Sequence, residues 1–517
     1  MNNLKIKNVN EMTIDELIGQ VIMVGLPYKY LDDEYKKFIK DYSIGNYILF
    51  ARNYTDTVQM KKLMNDLYEY TQNITGSFPL VSIDQEGGMV VRLFQDVTFP
   101  ASPLTTSATT IPNAPYITGK IIGKDMLKLG INLNLAPCLE VNENLANPLV
   151  NVRGYGATKE TVLKNATKFV DGLQESKVLS CIKHFPGAGS STKDSHLELP
   201  IINDTKEQLL NYNMYPFSKL LHSDALMTSH CIYNAFDIIP STLSKVLLTD
   251  VLRNQFRFNG LIISDGMEMK AISDHYGIGN GCVMALNAGC DILLLCHEYS
   301  EQKAAFDFVK SAVNDGTLKI EVLKEKVKRI NFAKAKIIDA LIKNFNDDIY
   351  IKNDNEHNLM QEIVDNSYTL IKGSAPKITD KTLIITANAK IGSIVEDEFD
   401  ERNLVNALTH NFPNNKIVKF SDDTNFTSQI LSIVDNYDNV IVYTYDAYRD
   451  NTQINTINEL LKLNKDIYVV SIKGPGDRIH FKCLINYSCL YEYTPNSIKT
   501  IIKQLKGEIS LNGNLPN

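Results

Sequence analysis

Short apolar runs alternate with longer amphipathic segments along the first two thirds of the chain. The amphipathic segments, such as residues 56–73 and 159–175, repeat apolar positions at the i, i+3, i+4 spacing of a helix. Eight runs predict strands: GQVIMVGL (19–26), GNYILF (45–50), PLVSID (79–84), INLNLAP (131–137), VLSCIK (178–183), ALMTS (225–229), LIISD (261–265) and DILLLC (291–296). Strands that alternate with helices indicate parallel βα units. The count favours a closed (β/α)8 TIM-type barrel, with an open doubly wound sheet as the alternative.

A second α/β pattern follows a polar stretch. A long amphipathic segment (319–341) predicts the helix that closes the barrel, and NFNDDIYIKNDNEHN (344–358) has the few apolar residues typical of a linker. Four later runs predict buried parallel strands: TLIITA (382–387), KIVKF (416–420), NVIVYTY (439–445) and DIYVVSI (466–472). We therefore predict a barrel over residues 1–345, a linker over 346–360 and a C-terminal three-layer α/β sandwich domain over 361–517.

The composition is that of an ordinary globular protein, with 44% apolar and 22% charged residues among 517. A formal charge of −7 provides no electrostatic reason to expect nucleic acid or an anionic membrane as partner. The first residues, MNNLKIKNVNEMTIDEL, lack the apolar core of a secretory signal, and no run is long enough to cross a bilayer. We expect a cytoplasmic protein, and its oligomeric state stays open.

The eight cysteines include no C-x-x-C pair, and several lie within apolar runs. This distribution is typical of buried free thiols in a reducing compartment, so we expect no metal site. The sequence GPG at 474–476 lacks the longer glycine patterns that hold phosphate groups, so it predicts a plain turn. We expect no cofactor.

Ionisable residues recur where the predicted strands of the barrel end. They are Asp84 and Glu86, Arg153, Lys183 and His184, His230, and Asp265. In a barrel all of these positions lie on the C-terminal face, where barrel enzymes build their sites. Any one of them alone is better explained as a capping or solvated residue, but their shared end of the barrel favours a site.

Asp265 has two interpretations. It follows a strand-like run and precedes Gly266, which suits an N-cap for the next helix. An ionised carboxylate in the same place could instead attack an anomeric carbon and form a glycosyl-enzyme intermediate. The residues themselves do not separate the two interpretations.

The loop KHFPGAGSSTKDSHLELP (183–200) carries Asp194 and His196 two positions apart. A Gly- and Ser-rich loop with such residues is often a solvated turn. A carboxylate can also fix the tautomer of an imidazole, whose other nitrogen then transfers protons near neutral pH. On a loop that closes over the barrel mouth, the pair would act on a bound substrate.

Taken together, several motifs resemble glycoside hydrolase family 3, specifically its β-N-acetylglucosaminidase branch. The resemblance covers most of the first 340 residues. It rests on MTIDELIGQVIMVG, GNYILFARN, IDQEGGMVVRL, NLAPCLEVN, IKHFPGAGSSTKDSHLELP, MTSHCIYNAFD, LIISDGMEM and AGCDILLL. Two-domain members of this branch also carry a C-terminal α/β domain. The resemblance implies that this domain does not supply the catalytic pair.

The resemblance implies a retaining exo-β-N-acetylglucosaminidase with Asp265 as nucleophile, His196 as acid/base and Asp194 as its partner. Its sugar-binding positions are Asp84, Arg92, Arg153, Lys183 and His184. The implied substrate is a small carbohydrate, such as a chitooligosaccharide or a cell-wall fragment from peptidoglycan turnover. A family 3 phosphorylase, a β-glucosidase and a non-catalytic sugar-binding barrel are the alternatives.

The chain departs from the family pattern at four positions near these motifs. Ala188 stands where the family has His, Met89 where it has Arg, Gly154 where it has Ser, and Gly266 where it often has Asp. None of these changes removes the implied nucleophile or the Asp–His pair. We expect them to alter the wall of the pocket.

Overall fold

A computed structural model describes residues 3–143, 150–188, 199–345, 352–387, 403–421 and 423–516. Its first part is a closed barrel of parallel strands. The barrel strands are β1 (Ile22–Gly25), β2 (Asn46–Leu49), β3 (Leu80–Ile83), β4 (Leu133–Asn134), β5 (Leu179–Phe185), β6 (Ala225–Thr228), β7 (Leu261–Gly266) and β8 (Ile292–Leu295). Each strand pairs with its neighbours in sequence order, and β1 pairs with β8 to close the barrel. The predicted barrel is confirmed, and the open sheet is wrong.

Helices surround the barrel and cover the second domain. The α-helices are Ile14–Val21, Asp33–Tyr42, Thr57–Thr75, Pro103–Ala108, Ala114–Lys128, Lys159–Glu175, Lys206–Gln208, Tyr215–Lys219, Lys270–Tyr276, Ile278–Ala288, Tyr299–Asn314, Ile320–Phe345, Asp354–Asp365, Leu404–Asn411, Phe426–Ile433, Asn451–Leu460 and Pro495–Leu505. Leu209–Asn213 and Val246–Gln255 are π-helical. Short 3-10 turns span Val9–Glu11, Ala51–Asn53, Asn151–Arg153, Ser241–Leu243, Val434–Asn436, Ala447–Arg449 and Pro475–His480.

The first barrel strand begins later than predicted. Residues 19–21 belong to the helix Ile14–Val21, which a capping box between Thr13 and Glu16 starts. The helix and β1 are both fully apolar at their junction, and no Gly, Pro or polar residue separates them in a way that the pattern could reveal. The helix predicted from 56–73 is Thr57–Thr75, and it begins at the Asp56 cap and ends at Gly76 in a left-handed conformation.

The second domain is built on a six-stranded sheet. Its strands are β9 (Thr369–Lys372), β10 (Thr382–Thr386), β11 (Lys416–Lys419), β12 (Asn439–Thr444), β13 (Asp466–Ser471) and β14 (Asn486–Cys489). The order is β9-β14-β13-β12-β10-β11, and only the edge strand β9 is antiparallel to its neighbour. The four predicted strands are confirmed as parallel strands, but β11 lies at the sheet edge and is not buried, so the prediction of burial is wrong for it. Of the predicted linker 346–360, the part from Asp354 is helical, because the Asn353 side chain caps that helix.

The two domains pack closely against each other. Loop residues of the barrel, Met89 and Val152 among them, belong to the same apolar cluster as the core of the second sheet. The buried Glu492 carboxylate accepts hydrogen bonds from the Ser102 amide (2.7 Å) and the Thr105 hydroxyl (2.8 Å) of the barrel. Within the described residues, no helix is long and apolar enough to cross a membrane.

Candidate active site

A cavity of about 610 Å3 opens at the C-terminal ends of the barrel strands. Its wall includes the described residues that the sequence predicts for a site: Asp84, Arg92, Arg153, Lys183, His184 and Asp265. They come from the ends of β5 and β7 and from the connections after β3 and β4. The structure therefore brings them together as the barrel topology predicts. Asp194 and His196 lie outside the described residues, so the pair stays a prediction.

Four charged side chains form what we call the cavity cluster: Asp84, Glu86, Arg153 and Lys183. Lys183 Nζ lies 2.6 Å from Asp84 Oδ1 and 2.7 Å from Glu86 Oε1. Arg153 donates to both oxygens of Glu86, at 2.9 Å from Nε and 2.8 Å from Nη2. This bidentate pairing holds the guanidinium in one orientation. The cluster thus fixes a cation from the connection after β4 beside a cation from β5.

The charges of the cavity cluster shift one another's pKa values. Burial by itself would raise the pKa of the Glu86 carboxyl, but the charges of Arg153 and Lys183 lower it well below its ordinary range. Burial likewise opposes the charged form of Lys183, and the carboxylates of Asp84 and Glu86 raise its pKa overall. At neutral pH Glu86, Arg153 and Lys183 are therefore charged.

His184 is oriented by Glu140, a residue that follows β4. The Oε1 atom of Glu140 accepts a hydrogen bond from the His184 amide at 2.8 Å and lies 2.8 Å from His184 Nδ1. Because a carboxylate only accepts, Nδ1 carries the ring proton in neutral His184. Nε2 is then the nitrogen with a free lone pair.

Asp265 ends β7 and does not cap a helix. Its Oδ1 accepts a hydrogen bond from the neighbouring Gly266 amide at 2.8 Å. The next helix, Lys270–Tyr276, has Met269 at its N-cap position and no side-chain cap. The capping interpretation of Asp265 is therefore wrong.

The buried His230 side chain contacts the backbone at the end of β7. Its side chain is fully buried, and Nε2 lies 2.9 Å from the carbonyl oxygen of Gly266. Its Nδ1 lies 2.8 Å from the Thr242 hydroxyl. Of the strand-end residues that the sequence singles out, His230 is one that holds the backbone of β7 in place.

Three carboxylates of the cavity wall had no assigned role in the sequence-based prediction: Glu86 was named only as a strand-end residue, and Glu140 and Glu268 were not named. Glu86 and Glu140 orient Arg153, Lys183 and His184 as described above. Glu268 accepts hydrogen bonds from the amides of Cys296 and His297, and burial raises its pKa. For Glu86 and Glu268 the signal was their place just after strand ends. For Glu140 it was a carboxylate within the apolar segment NLAPCLEVN.

The departures from the family pattern have different structural settings. Met89 is buried against the second domain, and its Sδ accepts a hydrogen bond from the Tyr493 amide at 3.4 Å. A Cβ added at Gly154 would stand 3.0 Å from Val150 Cγ1, so that site is tight. A Cβ at Gly266 would meet only ordinary contacts of 3.5 Å or more, near Glu268 and Cys296. Ala188 is half-buried and lines the cavity.

Comparison with known proteins agrees with this architecture. Residues 13–332 match the model of the glycosyl hydrolase family 3 N-terminal domain. The chain is 32% identical over 288 residues to a β-hexosaminidase of Actinobacillus pleuropneumoniae serotype 5b, which covers 54% of this chain and 81% of that protein. It is 30% identical over 320 residues to β-hexosaminidase A of Pseudoalteromonas piscicida, covering 55% of this chain and only about half (54%) of that longer relative.

A solved structure matches over both domains. It is a glycoside hydrolase family 3 β-N-acetylglucosaminidase from Paenibacillus sp. str. FPU-7, with a TM-score of 0.89 and 29% identity. The match covers 98% of each chain. The chain therefore belongs to glycosyl hydrolase family 3, and it is a glycoside hydrolase.

Proposed function

We propose that this protein is a retaining exo-β-N-acetylglucosaminidase. The observation that carries the proposal is the convergence of Asp265 with the cavity cluster and His184 in one cavity of about 610 Å3. Such a volume lies within the range of small-molecule sites. The β-hexosaminidase relatives and the β-N-acetylglucosaminidase of the same two-domain fold support this choice of sugar.

In the first step, a carboxylate oxygen of Asp265 attacks the anomeric carbon of a terminal β-linked N-acetylglucosamine. The bond from that carbon to the glycosidic oxygen breaks as His196 donates its proton to the departing oxygen. The product is a glycosyl ester on Asp265 and a neutral imidazole. Fully ionised Asp265 is the form that can act in this step.

In the second step, neutral His196 takes a proton from water, and the water oxygen attacks the anomeric carbon. The ester bond to Asp265 breaks, and the sugar leaves with its original anomeric configuration. Asp194 accepts a hydrogen bond from the imidazolium and stabilises it. The enzyme returns to its starting protonation state.

The remaining residues bind the sugar. We assign Asp84, Arg92, Arg153, Lys183 and His184 to its hydroxyl and acetamido groups. Lys183 and Arg153 donate only, whereas His184 offers the Nε2 lone pair as an acceptor. Their fixed pairing with carboxylates pre-organises these groups, so little ordering is left for substrate binding.

We further propose that the substrates are cell-wall fragments or chitooligosaccharides in the cytoplasm. All eight cysteines are free thiols, and seven of them are buried, which suits a reducing compartment. A panel of oligosaccharides with and without an N-acetylmuramic acid partner sugar tests the substrate source. Equal turnover of every partner sugar would contradict a preference for cell-wall fragments.

A chromogenic β-N-acetylglucosaminide provides the main test. We expect Asp265→Asn to lower kcat by at least about 10³-fold, because the amide that replaces the carboxylate cannot form the ester. Asp274→Asn is the matched control, since that carboxylate is exposed on the helix Lys270–Tyr276. A 2-fluoro glycosyl donor should label Asp265 covalently. Undiminished turnover by Asp265→Asn would refute the assignment.

The other functions give different outcomes in the same assay. A phosphorylase would release mainly sugar 1-phosphate when phosphate is present, and a β-glucosidase would prefer glucosides to N-acetylglucosaminides. A non-catalytic sugar-binding barrel would bind ligand with neither turnover nor covalent labelling. Hydrolysis of the N-acetylglucosaminide that phosphate does not redirect is the result expected here.

A further inference from the structure

Three side chains on one wall of the cavity combine a thiol, a carboxyl and an imidazole. They belong to Cys138, Glu140 and His184, and each offers one ligand atom. These three atoms all lie within 4.8 Å of one another. The part of the chain that the structure describes holds no other such group of His, Cys, Asp and Glu.

The pairing of the chain after β4 with the end of β5 creates this group. Cys138 forms a parallel bridge with Lys183, and the Leu139 amide donates to the Lys183 carbonyl at 2.6 Å. This register places positions 138 and 140 beside residue 184, although 44 residues separate Glu140 from His184 in the chain. No C-x-x-C or similar spacing in the sequence could indicate it.

The state of the Glu140 carboxyl is a second observation, besides the grouping of the three side chains, that points to a bound cation. Its side chain is 3% exposed, and its Oε1 is engaged by His184. Its other oxygen, Oε2, has no hydrogen-bond partner among the described residues. A buried carboxylate oxygen left without a partner is costly, and a cation at the cavity wall would satisfy it.

Thiolate, imidazole and carboxylate together are the ligands of zinc-class ions and not of Mg2+ or Ca2+. With bonds of about 2.3 Å to sulfur and about 2.0–2.2 Å to nitrogen and oxygen, tetrahedral ligand atoms stand about 3.3–3.6 Å apart. The ligand atoms lie within 4.8 Å of one another, so no pair needs to close by more than about 1.5 Å to reach this geometry. The fourth position would face the cavity and take water.

We propose that Cys138, Glu140 and His184 bind one zinc-class divalent ion, and that the bound ion blocks the sugar site. The Cys138 thiol loses its proton to solvent as the bond from sulfur to the metal forms. The ion would then bind a ring nitrogen of His184, or fill the space beside that ring, and so exclude the sugar. Only the blocking effect rests on the proposed function, because it assumes that His184 contacts the sugar.

Titration of the metal-free full chain with Co2+ tests the site without any turnover. We expect one equivalent to produce a charge-transfer absorption band from thiolate to Co2+, which added Zn2+ removes. Cys138→Ser should abolish the band. Cys231→Ser is the matched control, because that buried cysteine lines the same cavity outside the ligand group. A band that survives in Cys138→Ser, or its absence from the native chain, would overturn the proposal.

Glu140→Gln keeps the test decisive if Cys138→Ser does not fold. This change preserves the shape of the side chain and removes a charged ligand, so we expect Co2+ affinity to fall about 10- to 100-fold. Unchanged affinity in Glu140→Gln would contradict coordination by this carboxyl. Thermal unfolding of each variant verifies that the compared samples are folded.

Zinc inhibition is measured separately on the chromogenic N-acetylglucosaminide. We expect micromolar-range zinc to reduce turnover of the native chain reversibly, with EDTA restoring it, and to spare Cys138→Ser. Turnover that zinc leaves unchanged, beside an intact Co2+ band, would overturn the blocking effect alone. A Co2+ band in a protein that turns over no glycoside would instead refute the proposed function and leave the metal site standing.

Discussion

The two ends of the barrel both carry buried charge, but they use it differently. At the C-terminal end, the cavity cluster borders open space that a ligand can enter. At the other end, Asp291 precedes β8 and is fully buried between two arginines, at 2.6 Å from Arg253 Nη2 and 2.8 Å from Arg329 Nη2. We call Arg253, Asp291 and Arg329 the base cluster.

Backbone groups of the chain provide further hydrogen-bond partners for the base cluster. One oxygen of Asp291 also accepts a hydrogen bond from the Ile262 amide at 2.9 Å, and Arg253 donates to the carbonyls of Phe258 and Gly260. In the cavity, by contrast, Glu140 and Glu268 each have a buried oxygen without a partner among the described residues. Buried ion pairs alone therefore do not mark a site. The adjoining cavity does.

The largest expected effect is on stability, from Asp291→Asn. Removing the charge leaves Arg253 and Arg329 without their counter-ion, which we expect to cost about 3 kcal/mol in unfolding free energy. Calorimetry measures the lowered Tm, and glycoside turnover per folded molecule should be unchanged. Reduced turnover with an unchanged Tm would contradict the separation of the two ends.

Lys183→Met should lower turnover, in contrast to Asp291→Asn, which should lower stability. It removes a charged donor that we assign to the sugar, and that loss is worth about 2 kcal/mol of transition-state binding. We expect kcat/KM for the N-acetylglucosaminide to fall about 30-fold. Rates are normalised to the folded fraction from thermal unfolding. If kcat/KM stays within about twofold of the native value, the cavity cluster does not serve binding.

Lys334 offers a smaller effect at a third buried charge. It is fully buried on the helix Ile320–Phe345, and its Nζ donates to Gln20 Oε1 at 2.8 Å. Burial lowers its pKa to about 7. In the unfolded chain the amine titrates near its ordinary value of about 10.4, so the folded state is penalised fully below about pH 7. The penalty is relieved as pH rises from there.

We therefore expect Lys334→Met to raise the unfolding free energy by about 1–2 kcal/mol below pH 7. The gain should shrink as pH increases toward about 10. Thermal unfolding at about pH 6 and about pH 9 measures both effects. Lys343→Met, at an exposed position of the same helix, should show neither. A gain that grows with pH would have the wrong sign for a buried lysine.

The smallest effect is expected where charge is exposed. Lys37 and Asp41 form an ion pair at the i, i+4 spacing on the helix Asp33–Tyr42, with both side chains largely in solvent. Asp41→Asn should change neither Tm nor turnover measurably, because solvent screens such pairs. Raising the salt concentration should not alter that outcome. A clear loss of Tm would show that charge removal in itself destabilises this chain.

Local patterns predicted most of the fold. Eight apolar runs correspond to the barrel strands, and the helix predicted from 159–175 is Lys159–Glu175. The errors lie at junctions that lack a local marker. The apolar run 19–26 crosses from helix into strand, and the polar stretch 344–358 includes the start of the helix Asp354–Asp365. Amphipathic periodicity does not register such boundaries.

The residues of the candidate site, too, could be predicted only in part from the sequence. Asp84, Arg153, Lys183, His184 and Asp265 could be named from the sequence because parallel strands all present their ends at the same face. Glu86 could be named for the same reason, but Glu140 could not. Glu140 reaches His184 only because the chain after β4 pairs with β5 in one particular register.

Alternation of apolar and amphipathic segments was thus enough to establish a barrel and to locate its functional end, because both follow from short-range periodicity and from parallel pairing. The tertiary structure alone decided which buried charges border a cavity and which are enclosed by other side chains. Glu86 and Asp291 are both buried acidic residues next to strands, yet one borders a cavity and the other is enclosed by arginines. That difference depends on contacts between residues far apart in the chain, and barrel closure and strand register determine those contacts.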